Sequence, residues 1–274
     1  MSLQARLAQL LAQIDASTRA AGRPAGSVRL IGVTKTRPTS ELMQVVNLGL
    51  SDLGANYLEE ALPGIAALKT AGQTCRWHFI GQVQSNKTRL ICEHFDWLHT
   101  LDRMRIAERL SAQRAPTAAP LNVLLQVNFA REPSKGGVQT LEELRALARE
   151  VQRLPNLRLR GLMTIPPVDT QDPRAAFADV AAALAVLRRD AEAGATPPAA
   201  AGTPDVGRFG VEDLDTLSMG MSDDFDAAIA AGATMVRVGT ALFGARPARM
   251  REPSAPSSTT PAAPTPRSDR ESQP

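Results

Sequence analysis

The chain has 274 residues, 43% hydrophobic and only 4% aromatic, which supplies a sizeable core and favours packed helices over a β-sandwich. Its formal charge of +3 comes from scattered Lys and Arg with no block of five or six, which argues against a nucleic-acid-binding stripe. Two cysteines, Cys75 and Cys92, without a CxxC pair argue against a disulfide framework or a zinc site and suit a reducing compartment.

At the N-terminus, "LQARLAQLLAQI" is broken by Gln and Arg before a signal-peptide core can build. No apolar run approaches the length of a membrane span, so the expectation is a cytoplasmic protein. Leu3, Leu7, Leu10, Leu11 and Ile14 recur at helical spacing and predict an amphipathic helix over 2–20. A first strand, 28–34, runs into Lys35 and stops before Pro38. Helix 39–48 follows, then strand 51–54, which delivers Asn56 and Tyr57 into helix 56–70. Strands 77–81 and 96–100 precede helix 103–114. Strand 121–128 opens into "EPSKGG" with Lys135, and helix 140–153 leads to strand 157–164, whose end "GLMT" contains Met163. Helix 172–192, strand 214–219, helix 222–231 and strand 234–239 complete the series.

Alternating strands and helices imply parallel βαβ units. Strands apolar on both faces, as in "NVLLQVN" and "TMVRVG", are expected where helices cover the sheet. Eight such units in roughly 250 residues is the arithmetic of an α/β TIM barrel. An open doubly wound sheet is the alternative, weakened because no GxGxxG follows the first strand. The barrel is assigned to residues 1–247, with an extra N-terminal helix. The Ala/Pro/Gly-rich stretch 193–213 reads as a surface insertion, and the Pro/Ser/Thr-rich stretch 248–274 as a disordered tail.

TIM-barrel chemistry gathers at the C-terminal ends of the strands, with phosphate commonly held after strands seven and eight. In "VGTALFG", strand, Gly239, Thr240 and helix follow in the order of a phosphate cup. Ser222, before Asp223 and Asp224, reads first as a helix N-cap and second as a phosphate ligand. Arg237, inside the apolar strand "MVRVG", is either salt-bridged or a donor aimed into the barrel mouth. Lys35 is either a solvated charge or the nucleophile of a Schiff base. His78, His94 and His99 lack ligand spacing and read as packing or capping residues, and Trp77 and Trp97 as core. A Schiff-base lysine, a cation for a ring nitrogen and a phosphate cup together suggest pyridoxal 5′-phosphate.

The stretches "VTKTRP", "NYLEE", "WHFIGQVQSNKTRL", "SKGGV", "LRGLMTIP" and "TLSMGMSDDFDAAIAAGATMVRVGTALFGAR" resemble the YggS/PROSC family of pyridoxal phosphate homeostasis proteins. The resemblance implies a barrel of the alanine racemase N-terminal type with the cofactor in its mouth. By position, it implies a Schiff base at Lys35 and Arg237 facing the pyridine nitrogen. Ser222, Gly239 and Thr240 would hold the phosphate, with Ser218, Asn56 and Met163 nearby. Arg37, Tyr57 and Lys135 would line the entrance. The chain departs from the family pattern at Arg37, where lysine is frequent, at Ala55, and at Gln82-Val83. The family resemblance also implies a carrier that buffers the cofactor and passes it to apo-enzymes, without robust catalysis. No second domain is read after the eighth strand to close over a substrate, and a monomer is expected. The alternatives are a small amino-acid racemase using Lys35 and Tyr57, and a cofactor-independent Schiff-base aldolase, which leaves Arg237 unexplained.

Overall fold

The computed structural model describes residues 1–167, 172–194 and 213–245. Helix α1 (Leu3–Ala20) starts where the Ser2 hydroxyl accepts a hydrogen bond from the Ala5 amide, 3.2 Å away. It buries Leu3, Leu7, Leu10 and Ile14. Leu11, expected in the same stripe, is 46% exposed, because a residue next to Leu10 points about 100° round the helix.

Eight strands follow: β1 (Arg29–Val33), β2 (Asp52–Ala55), β3 (Arg76–Phe79), β4 (Trp97–Leu101), β5 (Leu121–Val127), β6 (Leu157–Thr164), β7 (Thr216–Ser218) and β8 (Met235–Val238). Each runs parallel to the next, and β8 closes on β1 with Arg237 opposite Ile31. The helices between them are α2 (Thr39–Asn47), α3 (Leu58–Thr70), α4 (Thr88–His94), α5 (Met104–Gln113), α6 (Leu141–Val151), α7 (Arg174–Gly194) and α8 (Phe225–Ala230), and α9 (Thr240–Phe243) follows β8. The fold is the α/β TIM barrel that the strand rhythm predicts. The rhythm did not mark α4, whose seven residues are too few to display a helical period. The expected insertion lies outside the described residues except at its ends, where Gly194 closes α7 and Asp213 receives Arg158 Nε at 2.7 Å. The expected tail, 248–274, also lies outside them.

Strand alternation divides the apolar residues into two groups. Leu30, Leu53, Leu98, Val123, Val236 and Val238 face outward into the main core beneath the helices. Ile31, Trp97, Leu124, Met163 and Met235 fill the barrel interior. The β5–β6 register jumps from Val123–Leu159 to Leu124–Gly161, leaving Arg160 as an extra residue in β6. Gly161 permits this bulge: its φ is +145°, and a Cβ there would lie 1.9 Å from the Thr216 carbonyl oxygen. Among the described residues no helix is long and apolar enough to cross a membrane.

Candidate functional site

The first component is the turn after β1. Thr34 is buried, and its amide and hydroxyl both donate to the Gly54 carbonyl, at 2.9 and 3.1 Å. The Arg37 amide reaches back to the Thr34 carbonyl at 3.0 Å, folding Lys35 and Thr36 into a tight turn. Thr36 has φ +58°, a left-handed conformation that a β-branched residue rarely adopts. The Glu60 carboxylate holds it by accepting from the Thr36 amide at 3.0 Å. This turn carries the half-buried Lys35 off the strand, with Nζ 5.5 Å from the centre of the Tyr57 ring. Asn56 and Tyr57 are delivered by β2 onto the start of α3. Gly81 fixes that segment, because a Cβ there would stand 1.9 Å from the Asn56 carbonyl oxygen.

The second component is the end of β8. Gly239 leads into α9, one turn long, where Thr240 is the first residue. Helix geometry leaves the first amides of such a turn without helical acceptors. Two arginines secure its other end. Arg6, from α1, donates to the carbonyls of Leu242 at 2.7 Å and Phe243 at 3.2 Å. Arg37, expected at the entrance, has its guanidinium on the carbonyls of Phe243, Gly244 and Ala245, with its side chain 5% exposed. Ser222 is not the cap of α8, a position taken by Asp224. It shares a cleft of about 410 Å³ with Arg6 and Ala241, so the loop after β7 and the start of α9 lie side by side.

The third component lies inside the barrel. Arg237 is 4% exposed, and among the described residues no carboxylate forms an ion pair with it. Its Nη1 donates to Ser218 Oγ and its Nη2 to the Thr164 carbonyl, both at 2.9 Å. Burial lowers its pKa to about 10, still far enough above neutrality to keep the cation. Ser218 is fully buried, and its hydroxyl also contacts His99 Nδ1 at 2.8 Å. Met163 is 1% exposed and belongs to the interior apolar group. His78 and His99 do pack in the core, yet they hydrogen-bond to each other, and His78 reaches Asp52. Sequence reasoning missed this connection. Its signal was a polar residue at an inward position of each of β2, β3 and β4, in "SDLG", "RWHF" and "WLHT".

Lys135 sits on the loop after β5, paired with Glu132 at 2.5 Å and donating to the Pro166 carbonyl. Asn128 ties this loop by accepting from the Glu132 amide and donating to the Glu132 and Lys135 carbonyls, each at 2.9 Å. Asp102, at the end of β4, approaches the loop at Gly136. Burial raises its carboxyl above the ordinary range despite the neighbouring Arg103. Cys75 and Cys92 are free thiols, each pushed up to about 11 by burial, which leaves them poor nucleophiles. Among the described residues no cluster of His, Cys, Asp or Glu could hold a metal ion.

A model of the alanine racemase N-terminal domain family matches residues 6–247. The pyridoxal phosphate homeostasis protein of Pseudomonas aeruginosa is 49% identical over 243 residues, covering 88% of this chain and 94% of that one. Its counterpart in Escherichia coli K12 is 46% identical over 241 residues, covering 88% and 95%. Among solved structures, PipY of Synechococcus elongatus PCC7942, with PLP bound, superposes with a TM-score of 0.72 at 33% identity, covering 89% of this chain and all of that one. The chain thus belongs to the alanine racemase N-terminal domain family, among the pyridoxal phosphate homeostasis proteins.

Proposed function

We propose that this chain binds pyridoxal 5′-phosphate through Lys35 and serves as an intracellular buffer and carrier of that cofactor, without robust catalysis of its own. The observation that carries the reading is Arg237, a buried guanidinium without a carboxylate partner among the described residues, inside a barrel whose rim bears a lysine. The relatives' homeostasis role and the PLP in the PipY structure support it.

The residues fit the group. When bound, the cofactor supplies an aldehyde open to attack by an amine, and the chain offers Lys35 Nζ on its outward turn. Arg237 offers donors to a ring nitrogen. Thr240 supplies a hydroxyl beside the first amides of α9, with Ser222 on the adjoining loop, a donor set suited to a phosphate. Gly239 is not demanded by the fold, since a Cβ there would meet Val33 only at ordinary contact, 3.5 Å. Its missing side chain leaves room for an anion to approach the backbone. Asn56 and Met163 shape the surroundings, and Tyr57 and Lys135 stand at the rim.

The same residues argue for carrying over catalysis. Arg237 can donate but not accept, so it leaves a facing ring nitrogen without a proton and weakens the ring as an electron sink. Racemisation needs a second base across the substrate carbon from the lysine. Tyr57 has its ring beside the Lys35 amine itself, its centre 5.5 Å from Nζ. The two free thiols suit a reducing compartment, where a monomeric barrel would hand cofactor to apo-enzymes.

The test is the absorption spectrum of the full chain with added pyridoxal phosphate, beside Lys35→Ala. A yellow band in wild type and none in the variant is expected, with borohydride reduction fixing the cofactor to the Lys35 peptide. A wild-type protein that stays colourless, or label on another lysine, overturns the reading. Conversion of L-alanine or L-serine to the D-form at enzymatic rates would establish the racemase alternative.

A further inference from the structure

Four buried polar side chains link the N-terminal end of the barrel, where the exposed Arg76 lies, to Arg237. Arg76 grips Asp52 with Nε and Nη2, each 2.7 Å from a carboxylate oxygen. Asp52 Oδ1 lies 2.9 Å from His78 Nε2, His78 Nδ1 lies 2.9 Å from His99 Nε2, and His99 Nδ1 lies 2.8 Å from Ser218 Oγ. Ser218 then receives Arg237 Nη1 at 2.9 Å. The four linking residues, Asp52, His78, His99 and Ser218, are at most 1% exposed.

The two ends dictate every proton between them. A guanidinium only donates, and a carboxylate only accepts. Asp52 only accepts, so His78, neutral, carries its proton on Nε2 and accepts at Nδ1 from His99 Nε2. His99, neutral, then accepts at Nδ1 the single proton of Ser218, whose oxygen receives Arg237 Nη1. Each neutral ring donates once and accepts once. Burial lowers the pKa of both rings, and the Asp52 carboxyl, though raised by burial, is held well below the usual range by Arg76 and His78. All the hydrogen bonds point from the cation to the anion, so their dipoles reinforce one another.

We infer that Asp52, His78, His99 and Ser218 form a one-directional hydrogen-bond chain that positions the Arg237 guanidinium beneath the mouth and offsets its charge. Ser218 on this view acts through Arg237 rather than on a ligand. The four are positioning residues. Their purpose rests on the cofactor reading, whereas the chain itself is tested without cofactor.

Nitrogen NMR of the labelled full chain at pH 7 reads the imidazole tautomers and the rotation of the Arg237 guanidinium. Wild type is expected to show His78 and His99 neutral with protons on Nε2, and slowed guanidinium rotation. His99→Leu is expected to speed that rotation and to weaken pyridoxal phosphate binding by about tenfold. His99→Gln restores both, because an amide accepts from Ser218 and donates to His78 as the imidazole does. A charged ring or an Nδ1 proton in wild type overturns the inference, as does wild-type guanidinium rotation or affinity in His99→Leu. If wild type binds no cofactor, the cofactor reading falls and the nitrogen signals alone decide the chain. If His99→Leu fails to fold, Ser218→Ala replaces it: faster guanidinium rotation is expected, and unchanged rotation overturns the inference.

Discussion

A guanidinium and an ammonium carry the same charge, but only the guanidinium presents a planar fork of donors. Arg37 uses that fork on three successive carbonyls, Phe243 to Ala245, while lying over the Phe243 ring at 5.5 Å. Helix α9 is a single turn, too short to persist without tertiary partners. Arg6 and Arg37 supply those partners, so the position of Thr240 depends on side chains that hold the far end of its helix. Arg37→Lys keeps the charge and loses the fork. It is expected to lower unfolding free energy by about 1–3 kcal/mol, read as a shifted urea midpoint with an unchanged m value. An unshifted midpoint would mean that water satisfies these carbonyls equally well.

Loops at the barrel mouth are held by close approaches of backbone that only small residues allow. Gly81 abuts the Asn56 carbonyl, and the Asn56–Tyr57 segment in turn meets Lys35. Gly81→Ala must therefore push that segment outward, at a cost of about 1–3 kcal/mol for overpacking. Tyr57 is the sole tyrosine in the sequence, so its ring resonances report the displacement directly; a shift on substitution is expected, and superposable spectra would mean the contact relaxes elsewhere. The elements themselves were legible because β1, β5 and β6 each contain a short apolar run, Leu30 to Val33, Val123 to Leu125 and Gly161 to Met163, and the helices between carry clear stripes. Lys35, Arg237 and the run from Gly239 to Thr240 were legible because a charge ending or interrupting an apolar strand is costly without a purpose. Thr36 was not, since nothing in its side chain announces a left-handed backbone. The Arg160 bulge was hidden because a slip of register depends on the partner strand. The links among Asp52, His78 and His99 are tertiary: alternation can place each residue inside the barrel, but only closure brings them within hydrogen-bond distance.

Closing a barrel around two neutral imidazoles ties the stability of the whole molecule to pH. In the unfolded chain, histidines titrate near 6.5. In the native barrel, His78 and His99 are shifted down, chiefly by burial. Groups around them pull both ways: Asp52 favours the charged form of each, whereas Arg29 opposes it and Arg237 adds to the shift at His99. The sign follows from proton counting. Above the ordinary histidine pKa neither state takes up a proton at these rings, and their contribution is fully present. As pH falls below it, the unfolded state gains protons that the native state refuses, so stability falls by up to about 1.4 kcal/mol per pH unit for each histidine. Asp52, depressed by Arg76 and His78, acts in a lower window: its contribution is present above the ordinary carboxyl pKa and is lost below it. Urea midpoints measured from pH 7 to pH 3 are thus expected to fall in two stages. Replacing His78 and His99 together by Gln should flatten the upper stage and leave the lower one. An upper stage that survives the double substitution would assign it to other groups.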